Sequence, residues 1–154
     1  METLRDSSEI KEAAALFGEL FSDRRAAAIT PQRSREQRLA QALRMMAERS
    51  GISYAAVVDE RGLPLAAHGD ALTDSAVGAF VTLASDCLGK IAGIVESWDI
   101  RHVAYDIGYT DKAVVRAFTV GDKPFYLIII CGQDTDERSE VELSIEAISA
   151  IVCG

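Results

Sequence analysis

The chain has 154 residues, of which 49% are apolar and 26% charged, enough for one domain with its own core and too apolar for a chain disordered throughout. The net charge is −8, spread unevenly: residues 1–50 carry 9 Lys and Arg against 8 Asp and Glu, and residues 51–154 carry 7 against 16. An acidic body repels phosphate backbones, so no nucleic-acid partner is expected.

Residues 7–22 read as a helix. Ser7 or Ser8 caps it, and Leu16, Phe17, Leu20 and Phe21 give an apolar stripe at helical spacing. Pro31 lacks an amide hydrogen and disfavours helix at Thr30, so this helix ends before it. The connection holds Arg24, Arg25, Arg33 and Arg35. It is either a solvated basic linker or an arm that docks on an acidic surface. The expected organisation is an N-terminal helix and basic linker over 1–31, then one domain over 32–154.

A second helix is predicted over 33–49. Ser34 is its N-cap, Leu39, Ala42, Leu43 and Met46 line one face, and Gly51 ends it. A hairpin follows. Ile52–Val58 reads as a strand, Asp59-Glu60-Arg61-Gly62 as a turn, and Leu63–Ala67 as a short strand whose Pro64 suits a sheet edge.

The segment Asp74–Trp98 reads as one long helix capped by Thr73 or Asp74. Val77, Phe80, Leu83, Ala84, Cys87, Leu88, Ile91, Ile94, Val95 and Trp98 form a wide stripe expected to face the sheet. Its other side carries Gly78, Thr82, Ser85, Gly89 and Gly93 at steps of three or four. Glycines inside a helix cost about 1 kcal/mol each relative to alanine. Either this is a solvent face with incidental glycines, or a small-residue ridge lets another backbone approach.

Three strands and a helix complete the chain. In His102–Gly108, Val103, Tyr105 and Ile107 share one side. In Ala113–Val120, Val114, Phe118 and Val120 share a face with Arg116 among them, and Asp106 is placed to pair with Arg116 across the hairpin. Phe125–Cys131 is apolar on both faces, the mark of a central strand. Asp136–Val152 is a helix with acids at its start, where the helix dipole favours them, and Val141, Ile145, Ile148, Ile151 and Val152 on its buried stripe. The order from residue 33 is α-β-β-α-β-β-β-α, with short hairpins and hence a mainly antiparallel sheet.

The sequence contains no P-loop, no G-x-G-x-x-G after a strand, no H-E-x-x-H, no EF-hand loop and no G-x-S-x-G. His68 and His102 lie far apart in sequence and read as surface or hydrogen-bonded residues. The odd cysteine count (Cys87, Cys131, Cys153), wide spacing and apolar neighbourhoods point to reduced thiols, with Cys153 the one placed for exposure. The longest apolar run, Phe125–Cys131, is far short of a membrane span, and Met1–Lys11 lacks the apolar stretch of a signal peptide. The expectation is a cytoplasmic protein that is not an enzyme, with no cofactor, no metal and no membrane partner.

The stretch from Ile52 onward resembles the roadblock family (dynein light chain 7-like), and within it the bacterial MglB type. The resemblance rests on the hairpin A-A-V-V-D-E-R-G-L-P-L-A-A over 55–67, the long helix rich in Ala, Gly and Leu, and the closing F-Y-L-I-I-I strand with its amphipathic helix. With the helix at 33–49 it spans about residues 33–152. It implies an α+β domain with a five-stranded antiparallel sheet between one long helix and two helices. It also implies a homodimer formed by pairing the third strands, with the long helices side by side. That interface would include Gly78, Thr82, Ser85, Gly89, Gly93, Val103, Tyr105 and Ile107. MglB-type members bind a small Ras-like GTPase and stimulate its hydrolysis, and the contact expected here is Thr82, Ser85, Asp86 and Lys90. The extra N-terminal segment departs from a minimal roadblock domain. Two other readings stand beside this one: a small-molecule sensor of GAF or PAS type, with a pocket between sheet and long helix, and a structural adaptor subunit.

Overall fold

The computed structural model describes residues 34–154, and Arg35–Gly154 forms one compact unit. The expected helix at 7–22 and the basic linker lie outside the described residues, except for Arg35, which is the first residue of α1. The elements are α1 (Arg35–Ser50), β1 (Tyr54–Val58), β2 (Pro64–His68), α2 (Asp74–Ala92), β3 (His102–Ile107), β4 (Asp111–Val120), β5 (Lys123–Gly132) and α3 (Glu137–Cys153). All strand pairs are antiparallel, in the order β2-β1-β5-β4-β3. The strand that is apolar on both faces, β5, is central as its sequence predicts, and Pro64 lies on an edge strand where its missing N–H costs no ladder bond.

The sheet is covered on both faces, so its central strands lack a polar side. On one face, Leu39, Leu43 and Met46 of α1 and Val141, Ile148 and Val152 of α3 pack on Val57, Val114, Leu127 and Ile129. On the other, Val77, Val81 and Ala84 of α2 pack on Ala56, Val58, Val115 and Ile128. Every residue named in this second layer is at most 2% exposed, so the place where a sensor domain needs its pocket is filled by side chains.

The first hairpin is fixed by its acid. Asp59 Oδ1 accepts from the amides of Arg61 at 2.9 Å and Leu63 at 3.0 Å, and Gly62 closes the turn at φ +81°. Helix α2 is 19 residues long and apolar enough in length and composition to cross a membrane, but its buried residues are those packed on the sheet. It begins with Thr73 Oγ1 accepting from the Ala76 amide at 3.2 Å.

The helix does not run to Trp98: it ends at Ala92, with Gly93 as its C-cap. Ile94 is 77% exposed and Trp98 61%, and within the helix Leu83 is 66% exposed, so these three do not face the sheet. Leu83 is exposed because the stripe is too wide for one helix face, whose buried positions are Val77, Val81, Ala84 and Leu88, whereas Ile94 and Trp98 lie beyond the end of the helix.

Candidate interaction surface

Two features of the fold bear on the expected interface: the outer face of α2, and the edge of β3, which pairs only with β4. A free edge offers unpaired N–H and C=O groups to another strand.

The glycine ridge of α2 proves to be mixed. Gly78 is close to the first hairpin: a Cβ there would lie 3.0 Å from the carbonyl oxygen of Gly62, so this glycine has a reason within the chain. Thr82 is exposed, and its hydroxyl donates back to the Gly78 carbonyl at 2.9 Å. Ser85 is half-buried and receives the Tyr126 hydroxyl at 3.0 Å, a bond that ties α2 to β5. Gly89 is exposed with nothing within 4 Å of an added Cβ. Gly93 is exposed just past the helix, its amide on the Gly89 carbonyl. Asp86 and Lys90 form an exposed ion pair at 3.0 Å, one turn apart.

On β3, Tyr105 meets Phe80 edge to face with ring centroids 6.0 Å apart, so Val103, Tyr105 and Ile107 are turned to the α2 side of the sheet. Helical spacing puts Phe80 and Gly78 on different flanks of α2. Tyr105 therefore adjoins the flank of Phe80, Leu83 and Cys87, while the Gly78–Gly89 ridge runs along the opposite one. Thr82, Leu83, Asp86, Gly89 and Lys90 come together on the exposed face between the flanks.

The expected Asp106–Arg116 pair does not form. Opposite Asp106 in the register is Lys112, and Gln133 Nε2 donates to Asp106 Oδ1 at 2.6 Å. Arg116 instead stands opposite His102 and reaches α3, donating through Nε (2.9 Å) and Nη2 (3.2 Å) to the two oxygens of Glu142. The spacing of a hairpin predicts which residues share a face, but the choice of Glu142 is made by the helix packed on it.

That choice creates a feature the sequence reading missed. Helix α3 leaves a cleft of about 270 Å³ against β3 and β4, lined by Asp99, Arg101, His102, Arg116, Glu137, Arg138 and Glu142 over Val114 and Val141. Beside it Lys112 Nζ meets Glu137 at 2.7 Å. Burial works to raise the Glu137 carboxyl, but the Lys112 ammonium outweighs it and holds the group below the usual carboxylate range. The Arg116 guanidinium holds Glu142 low in the same way. Burial, joined by Arg138 and Arg116, pushes His102 below the ordinary imidazole value. The contributing positions come from three elements and a loop, with no motif spacing, so nothing in the sequence announced them. The cysteines are free: Cys131 is buried, with its thiol pushed up by burial, Cys87 is half-buried and Cys153 exposed.

No family model matches the chain, and no curated protein matches it. Solved structures do. The chain is similar to Myxococcus xanthus MglB, at 16% identity over 76% of this chain and 86% of that one, with a TM-score of 0.57. It is similar to the gliding protein mglB of Thermus thermophilus, at 15% identity over 77% and 88%, TM-score 0.57. It is also similar to a Roadblock/LC7 domain from Streptomyces avermitilis, at 20% identity over 75% and 98%, TM-score 0.59. The fold of residues 35–154 is thus a roadblock-like fold of the MglB type, as the hairpin, long helix and closing strand suggested.

Proposed function

We propose that the chain is a non-enzymatic, homodimeric regulator or scaffold of the cytoplasm that binds a small Ras-like GTPase, with stimulation of GTP hydrolysis as the finer reading. The observation that carries this is a roadblock-like fold whose α2 outer face and β3 edge are both open among the described residues. Two copies pair through β3, with Val103, Tyr105 and Ile107 beside the junction and the α2 helices adjacent. Exposed Leu83 supports the dimer, because a large apolar side chain among Thr82, Asp86 and Lys90 gains by burial against a second copy. Thr82, Ser85, Asp86 and Lys90 form the GTPase contact in this reading, with Ser85 serving through the position of α2 because its hydroxyl already holds Tyr126.

Calorimetry with a Ras-like GTPase of the same organism, loaded in turn with GDP and a non-hydrolysable GTP analogue, tests the proposal. The expected result is saturable binding that Lys90→Glu weakens. Heat-silent mixing with both nucleotide forms, confirmed by absence of co-elution, would overturn it.

A further inference from the structure

We propose that the cleft between α3 and the β3–β4 hairpin is a docking site for an acidic segment of a protein partner, with Arg116 receiving a partner carboxylate in place of Glu142. The proposal is independent of the GTPase reading, since the cleft opens on the α3 side of the sheet and not on α2.

Arg116 is the anchor because it is both charged and fixed. Its side chain is only 10% exposed, its Nη1 donates to the Ala117 carbonyl, and its remaining edge presents two N–H groups to one carboxylate. That planar edge is a bidentate carboxylate receptor. Its present occupant is easily replaced: Glu142 is 60% exposed and returns to water when it swings away. Exchange of one carboxylate for another leaves the buried guanidinium paired throughout, so no buried charge is stranded.

The surrounding charges favour an anion over a cation. Glu137 is engaged by Lys112, and Asp99 by Arg101. Arg138 is exposed and has no carboxylate within 4 Å among the described residues. His102, pushed towards its neutral form by burial and by Arg138 and Arg116 against the pull of Glu137 and Glu142, adds an uncharged polar group. The cleft also continues into a second trough of about 520 Å³ that shares Asp99, Arg101, Arg116 and Glu142 and runs over Phe118, Pro124 and Ile145. A charged entrance leading onto an apolar floor suits a peptide whose acidic residue is followed by apolar ones, more than a free ion.

The test is a titration of the full chain with a synthetic peptide of two glutamates followed by three leucines, monitored by the NMR signals of the arginine Nε–H groups. Saturable shifts of Arg116 and Arg138 are expected. Glu142→Gln removes the competing carboxylate and should tighten binding roughly fivefold, while Arg138→Glu should abolish it with the circular dichroism spectrum unchanged. The proposal is overturned if neither wild type nor Glu142→Gln shows saturation, or if Arg138→Glu binds like wild type. Equal shifts from sodium glutamate at matched carboxylate concentration would also overturn it, because the cleft would then hold free anions and not a partner segment.

Discussion

Gly62 and Gly78 meet backbone to backbone: an added Cβ on Gly78 would stand 3.0 Å from the Gly62 carbonyl oxygen, and one on Gly62 would stand 3.5 Å from the Gly78 Cα. The first hairpin and the long helix are locked together at this point. Gly62 cannot easily yield, because its φ of +81° closes the turn that Asp59 organises.

A substitution at Gly78 therefore acts against the fold, while one at Gly89 does not. Gly78→Val drives two methyl groups towards a backbone oxygen and should cost about 2 kcal/mol. Gly89→Ala meets open space and should gain about 0.5–1 kcal/mol from helix propensity. Urea denaturation at one protein concentration measures both. Equal and opposite-to-expected shifts at the two sites would show that the Gly62 contact does not constrain the helix.

The proposed dimer makes a prediction about mass. Leu83→Arg alters an exposed position and should leave the far-ultraviolet spectrum unchanged. It should halve the mass seen by light scattering, because a charged side chain then lies between the α2 helices. A monomeric wild type, or a variant that keeps the wild-type dimer mass, would exclude pairing through this face.

Acid should weaken the domain through identifiable carboxylates. Burial tends to raise Asp59, but the Leu63 and Arg61 amides and the Arg61 side chain outweigh it and hold the group below its ordinary value. Glu137 and Glu142 are held low by Lys112 and Arg116. A carboxyl lowered by folding contributes stability that is complete above its unfolded pKa and is lost as pH falls through the folded one. The urea midpoint should thus hold from neutrality down to about pH 5 and fall below about pH 4. Asp59→Ala should cost about 1–2 kcal/mol at neutral pH and show a shallower acid limb. Parallel acid limbs for variant and wild type would remove Asp59 from this account.

Thiol labelling should follow burial. Cys153 is exposed, Cys87 half-buried and Cys131 buried with its thiol raised, so a disulfide reagent at neutral pH should modify them in that order. Cys131 should react only on unfolding, and mass spectrometry of the labelled peptides reads the order directly. Early labelling of Cys131 would mean that β5 opens locally.

The sequence by itself determined the element order, the antiparallel hairpins, the central place of Phe125–Cys131 and the edge place of Pro64. These follow from local causes: turn residues, capping, and apolar periodicity that one element carries alone. It also determined the family likeness, because the Asp59–Gly62 turn and the closing apolar strand are contiguous in the chain. Only the tertiary structure decided where α2 stops touching the sheet, so that Leu83, Ile94 and Trp98 are left exposed. It alone gave Arg116 to Glu142 in place of Asp106, and Gly78 to Gly62 in place of an outward ridge. Each of these depends on what a distant segment places opposite a side chain. That is settled by how helices seat on the sheet, and periodicity within one segment carries no record of it.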